Sequence, residues 1–361
     1  MSLQAAALLS LLTFPAQDDG PALLQKALTQ LVAIQEESGA WPYEGVYRVD
    51  REIPVAYRVG GTAIVAGALL HAAPDDEKAR RAVDRGLEYV LGRLDDPLLA
   101  ASTEDAYDVR VWGQLTALEF LCQVREAKRA GGRLKEVDAW LPRLVRTLTA
   151  EELEHGGWNY AGRARPASFV TAPVTQALLY ARGQKVEVSA DVLERAKRAL
   201  EGARAENGAF LYSGVFKDGE SRYTSDQAEG SCARSAACEA TLRMLGGGSA
   251  EATRRALEAF HAHWGELEKR RRKTGTHEGP YKIAPYYVYY GHRYAAQAIQ
   301  WLPEADRAKE RERLLQVILK TRDADGTWND RVFDRSRAYG TAMIALALLG
   351  DRAPLPPSFV R

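Results

Sequence analysis

Two apolar patterns alternate along this chain, and each predicts a different kind of helix. Over residues 76–91, Ala79, Ala82, Val83, Leu87, Val90 and Leu91 recur at helical spacing while Lys78, Arg81, Asp84, Arg85 and Glu88 fill the positions between. That pattern predicts a surface helix with one buried face. Residues 63–70, 174–180 and 342–349 are instead apolar all round and rich in Ala, as expected of helices buried on every side. Thr171 and Pro173 mark the start of one of these. Surface helices are predicted to begin near residues 21, 76, 135, 188, 250 and 305, and buried ones near 62, 107, 171, 231, 286 and 340.

The pattern repeats. Gly61-Thr62-Ala63-Ile64 returns near the other end as Gly340-Thr341-Ala342-Met343, and each follows a Gly-x-Trp turn, Gly39-Ala40-Trp41 and Gly326-Thr327-Trp328. Weaker copies of the turn stand at Gly156-Gly157-Trp158, Gly208-Ala209-Phe210 and Gly279-Pro280-Tyr281. The period is about 56 residues, just above the usual solenoid range. An open solenoid needs polar capping repeats, yet the first and last repeats here are alike. The prediction is an all-α fold, a closed (α/α)6 toroid of six inner and six outer helices, formed as one domain over residues 20–352 with a Pro-rich tail at 353–361. Links from surface to buried helices, such as 37–60, 205–229 and 273–285, are long, whereas the return links are short. A cavity mouth is therefore expected at the N-terminal ends of the inner helices, where loops carry function and helix dipoles pool positive charge.

Composition narrows the partners. Lys and Arg (49) balance Asp and Glu (48), which removes any broad case for nucleic acid. The basic run at 269–273 closes a surface helix, where cations suit the dipole. Three cysteines are too few for a disulfide framework. Within an N-terminal segment of residues 1–19, residues 5–17 form an apolar run shorter than a bilayer requires. It resembles the core of a signal peptide and predicts export to the periplasm or beyond; an N-terminal arm on a cytoplasmic protein is the alternative. No transmembrane segment is expected in the mature chain.

Several residues at predicted inner-helix starts carry candidate chemistry. Cys232 and His292 open adjacent inner helices and leave three readings open: two zinc ligands with Glu229 or Asp226 as a carboxylate third, a thiolate nucleophile with its base, or a buried thiol and a hydrogen-bonded imidazole. Asp108 is either a helix cap or a catalytic carboxylate. Arg58, Arg110, Arg234 and Arg337 bring guanidinium forks to the mouth, for ligand or for salt bridges. Tyr286, Tyr290 and Tyr294 share one helix face, and with Trp112 they offer an aromatic surface for an isoprenoid, a sugar ring or a cation.

The stretch Gln35-Glu36-Glu37-Ser38-Gly39-Ala40-Trp41 resembles the Gln-x-x-x-Gly-x-Trp motif of squalene cyclases, and the chain from about Gly20 onward is similar to the prenyltransferase and squalene-cyclase repeat superfamily. The resemblance implies an α/α toroid that binds or acts on an isoprenoid-like, small hydrophobic or amphipathic ligand. The DxDD cluster with which the family's cyclases protonate substrate has no counterpart here. The family's protein prenyltransferases hold zinc with Asp-x-Cys and His at successive inner-helix starts and work with a second subunit. Glu229-Gly230-Ser231-Cys232 and His292 stand at those places, with Gly230 where the family has Asp. Two other classes remain: a carbohydrate-active toroid hydrolase or lyase with a carboxylate pair among Glu52, Glu104, Asp108 and Asp330, and a non-catalytic binding or scaffold protein.

Overall fold

The structure is a computed structural model and describes residues 20–100, 109–160, 165–214 and 224–359. The segment expected to be a signal peptide lies outside the described residues. Outer and inner helices alternate along the chain: α1 (Gly20–Ala33) and α2 (Val55–Ala72), then α3 (Glu77–Leu91), a one-turn α4 (Pro97–Ala100) and α5 (Arg110–Glu126), α6 (Leu134–Ala150) and α7 (Ser168–Gly183), α8 (Ala190–Ala203) and α9 (Ala228–Met244), α10 (Ala250–Glu268) and α11 (Tyr287–Ile299), and finally α12 (Glu304–Lys320) and α13 (Arg337–Leu348). The described residues form no sheet, only isolated bridges. Each inner helix packs on the next, and α13 returns to pack on α2 and α1, so the inner ring is closed.

The outer helices are amphipathic, and three of them are capped from the sequence. Asp76, Ser189 and Ser249 accept from backbone N–H groups of the first turns of α3, α8 and α10, each such cap contributing about 1 kcal/mol. The inner helices are buried on all sides. Helix α2 is long and apolar enough to cross a membrane, and in this fold those apolar side chains are spent against its neighbours in the ring.

The repeat motif is a joint. Trp41, Trp158 and Trp328 are fully buried, and each indole N–H donates to the carbonyl ten residues upstream at the end of the outer helix, Leu31, Leu148 or Ile318, at 2.8, 2.7 and 2.9 Å. Each backbone N–H donates in turn to a threonine hydroxyl on the following inner helix, Thr62, Thr171 or Thr341, at 3.0 Å. The Gly-Thr pair follows from this contact. A Cβ on Gly61 or Gly340 would stand 2.4 or 2.3 Å from the carbonyl of Trp41 or Trp328, so glycine is required at these two joints, whereas Val170 holds that place before Thr171 in the third.

Several inner-helix starts differ from expectation by three residues or more, and two of them have a plain physical reason. Helix α2 begins at Val55, a full turn and more before residue 62, because Tyr57 and Arg58 interrupt the apolar run without interrupting the helix. Helix α7 begins at Ser168, and Pro173 sits inside it. Proline has no N–H to offer the carbonyl four residues back, and the released Phe169 oxygen instead accepts the Tyr290 hydroxyl of α11 at 3.2 Å. The C-terminal tail lies against the return-link end of the ring, with the Phe359 N–H on the Met244 carbonyl at 2.7 Å and Pro357 against Gly183.

Candidate functional site: an aromatic cleft at the mouth of the ring

At the N-terminal ends of the inner helices the chain builds a cleft walled by eight aromatic residues, whose rings nearly fill it and leave a water-accessible cavity of about 20 Å³. Tyr57, Trp112, Phe169, Tyr290 and Tyr339 come from α2, α5, α7, α11 and α13, Tyr286 precedes α11, and Tyr43 and Tyr160 come from the repeat turns. The rings brace one another. Tyr43 meets Tyr339 at 4.8 Å and Tyr57 at 5.4 Å between centroids, and Trp112 lies 5.9 Å from Tyr339. Across the cleft Tyr286 stacks on Phe169 at 6.3 Å, and Tyr290 lies on Tyr294 at 4.4 Å. Such pairs hold aromatic faces in fixed orientation, each worth about 1 kcal/mol beyond burial.

Behind Tyr43 lies a buried polar chain. Arg331 Nε donates to the Tyr43 hydroxyl at 2.9 Å, which donates to Asp330 Oδ2 at 2.9 Å. Asp330 is fully buried, and its Oδ1 has no hydrogen-bond partner among the described residues. Burial pushes the Asp330 carboxyl up to about 6, against the opposing pull of Arg331 and the Tyr43 hydrogen bond. Because Oδ2 already accepts, the proton of the neutral acid resides on Oδ1.

The expected site residues separate into two groups. Trp112, Tyr286 and Tyr290 line the cleft. The arginines are engaged elsewhere: Arg110 grips Glu151 with two bonds of 2.9 and 3.1 Å, Arg58 pairs with Glu52, and Arg337 stands 3.5 Å from Asp325 beside a separate groove that also holds Glu36, Trp41 and Arg335. Arg234 is fully buried and donates to the carbonyls of Phe210, Gly230 and Ser225 and to Asp226. It ties the start of α9 to the preceding loop. Asp108, and Glu104 with it, lies outside the described residues.

The donor set does not fit zinc. Among the described residues no group of three His, Cys, Asp or Glu side chains is close enough to hold a metal. His292 is buried with both ring nitrogens committed: Nε2 accepts from Trp264 Nε1 at 3.1 Å, so Nδ1 carries the proton and donates to the Val288 carbonyl at 2.6 Å. Burial pushes its pKa down to about 4. Cys232 is also fully buried, its thiol donates to the carbonyl of Glu229 at 3.3 Å, and burial pushes its pKa up to about 12. A neutral thiol and a committed imidazole supply neither two metal ligands nor a nucleophile and its base. His292 instead pins outer α10 to inner α11.

Tyr43, Tyr57, Tyr160, Phe169 and Tyr339 were not among the expected site residues, and Asp330 was expected only as one member of a hydrolase carboxylate pair. A signal for all of these but Tyr57 exists in the repeat frame. The residue two places after the joint tryptophan is Tyr43, Tyr160 or Asp330, and the residue two places before the acceptor threonine is Phe169 or Tyr339.

No protein-family model and no curated protein matches the chain. Solved structures do. The GH76A α-1,6-mannanase from Salegentibacter sp. HEL1_6 superposes with a TM-score of 0.59 at 13% identity, over 91% of this chain and 99% of the other. The type II terpene cyclase MstE from Scytonema gives 0.56 at 14% identity, over 91% and 97%. A protein from Actinoplanes gives 0.57 at 16% identity, over 91% and 98%. The fold is that of the α/α toroids. At these identities the likeness extends to the fold alone.

Proposed function

We propose that this toroid binds an apolar, isoprenoid-like ligand in the aromatic cleft at the N-terminal ends of its inner helices. The observation that carries the reading is the lining itself: eight aromatic side chains, with neither an aliphatic nor a charged residue among them. Aromatic faces bury unsaturated chains well and stabilise positive charge held or developed on them. Asp330 is fully buried behind Tyr43 and accepts from its hydroxyl, so the pair holds the Tyr43 ring in the cleft wall and hands no proton to a ligand. Saturable binding of farnesol in detergent-free buffer is expected, weakened tenfold or more by Tyr290→Ala. Absence of saturable binding, or binding indifferent to that change, would remove the reading.

The fold supports a carbohydrate-active reading equally, since a mannanase and a terpene cyclase superpose alike. Stacked rings also suit sugars. Direct glycoside hydrolysis uses two facing carboxyl groups; among the described residues no carboxylate lines this cleft and Glu52 is paired with Arg58. Binding of α-1,6-mannotriose in place of farnesol would move the assignment to that class. The pairing of the mouth arginines, Arg58 with Glu52 and Arg110 with Glu151, favours a binding protein over an anion-processing enzyme.

A further inference from the structure

The turn frame that supplies Tyr43 and Tyr160 to the cleft supplies one more tyrosine. Two places after Phe210 of the Gly208-Ala209-Phe210 turn stands Tyr212, and its ring lies 5.0 Å from that of Phe169 in the cleft wall. Beside it is His277, whose imidazole meets Tyr212 edge-on at 5.2 Å and Tyr286 at 6.4 Å. Because Tyr286 returns to Phe169 at 6.3 Å, Phe169, Tyr212, His277 and Tyr286 form a closed circuit of four rings. Two of them line the cleft, and the other two stand half-buried at its edge.

Both edge residues are held in place. The Tyr212 backbone N–H donates to Asp226 Oδ1 at 2.5 Å, and the Arg234 guanidinium lies over the Tyr212 ring at 5.9 Å. His277 belongs to a tight loop closed by an antiparallel bridge between Glu278 and Ile283. Arg270 clamps that loop, donating to the Ile283 carbonyl and to Glu278, both at 3.0 Å. The loop sets the Lys282 carbonyl 3.0 Å from His277 Nδ1, so Nδ1 carries the proton and Nε2 is left as an acceptor. Burial lowers the pKa of His277 from its ordinary value, which keeps the ring neutral at pH 7. Nε2 faces the Tyr212 hydroxyl at 3.3 Å, longer than the roughly 2.8 Å of a close hydroxyl bond.

We infer that Tyr212 and His277 form the polar end of the site and take the hydroxyl group of an alcohol, whose apolar chain runs over Phe169 and Tyr286 into the cleft. This rests on the isoprenoid reading of the cleft. A hydroxyl is the group that matches the pair, since it donates to Nε2 and accepts from the Tyr212 O–H at once. An ether has no proton for Nε2. Both residues sit on loops, which part at lower cost than the packed inner helices carrying Tyr57, Trp112 and Tyr339, so this is the side on which a ligand enters among rings that nearly fill the cleft.

The test is equilibrium dialysis of farnesol and farnesyl methyl ether against the full chain at pH 7.5. The two share a chain and an oxygen and differ in the O–H. The ratio of affinities, farnesol over ether, is expected to fall about tenfold in His277→Phe, which keeps a ring in the circuit and removes the acceptor. His277→Gln offers an amide oxygen in place of Nε2 and should restore much of that ratio. Tyr212→Phe keeps the ring on Phe169, removes only the hydroxyl, and should weaken farnesol about fivefold; it carries the test if His277→Phe does not melt cooperatively. An unchanged ratio in a folded His277→Phe variant, or farnesol binding indifferent to Tyr212→Phe, overturns the hydroxyl role while leaving the cleft reading intact. A wild type that binds neither compound overturns the isoprenoid reading and this inference with it.

Discussion

Asp330 and His292 are buried titratable residues whose environments push stability in opposite directions with pH. The folded pKa of Asp330 is raised, so between pH 3.8 and about 6 the native state holds a proton that the unfolded chain has lost. Stability contributed by the neutral acid is complete below that window and declines as pH rises through it, by roughly 3 kcal/mol in all. Asp330→Asn keeps an acceptor for Tyr43 and has nothing to ionise. Chemical denaturation at pH 4 and pH 7 should show the variant gaining on the wild type at the higher pH; parallel stabilities would mean that Asp330 ionises in the ordinary carboxylate range. His292 has the reverse sign. Its folded pKa is lowered from 6.5 to about 4, so stability falls as pH drops through that interval and the unfolded chain takes up the proton. Protonation also adds an N–H where Nε2 accepts from Trp264. His292→Gln should flatten the acid limb of the stability profile, and an unchanged limb would place the titrating group elsewhere.

Among elements, the joint of tryptophan, threonine and glycine is the unit of construction. Thr341→Val keeps the shape of the side chain and removes the acceptor of the Trp328 N–H, leaving a buried donor unsatisfied. The expected cost is about 1–3 kcal/mol, and Thr62→Val and Thr171→Val should cost similar amounts because their geometry is the same. Losses below 0.5 kcal/mol in all three, a level about that of ordinary surface substitutions, would show that packing of the indole alone holds the turn. This joint was legible in the sequence because a close backbone approach and a specific acceptor leave recognisable residues, Gly and Thr, at fixed spacing. The six helix pairs were legible for the same reason, their burial being written as one-sided or all-round apolarity. The site was legible at Tyr286 and Tyr290, which cluster at the start of one helix, and at Trp112 near the start of another. Cys232, His292 and Arg234 occupy the right level of the ring but face neighbouring helices and loops, a distinction that a position near a helix start does not encode. Tyr43 and Tyr339 are single aromatic residues in separate segments, and only ring closure makes them neighbours.

Closure is also where the whole molecule is joined to its cleft. The first and last repeats meet through the Tyr43 hydroxyl on Asp330 and Arg331, the Ser336 hydroxyl on the Glu44 carbonyl at 2.9 Å, and Arg335 beside Glu36 at 3.1 Å. Arg331 reaches further, donating to the Thr274 carbonyl of the preceding repeat at 3.0 Å. An open array would fray from its ends, with α1 and α13 exchanging amide hydrogens well before the middle helices. A closed ring should protect α1 and α13 as well as α7. Arg331→Met removes the donor shared by Tyr43 and Thr274 and should cost about 3 kcal/mol or more. Hydrogen exchange would then accelerate first in α1, α2 and α13, beside the broken seam. Uniform acceleration around the ring, or acceleration led by α7, would show that closure does not depend on this contact. Because Tyr43 and Tyr339 belong to seam and cleft at once, a ligand that fills the cleft bridges the junction, and its binding should slow exchange in α1 and α13 more than in α6 or α8. Equal protection everywhere would place the ligand away from the seam, and so away from this cleft.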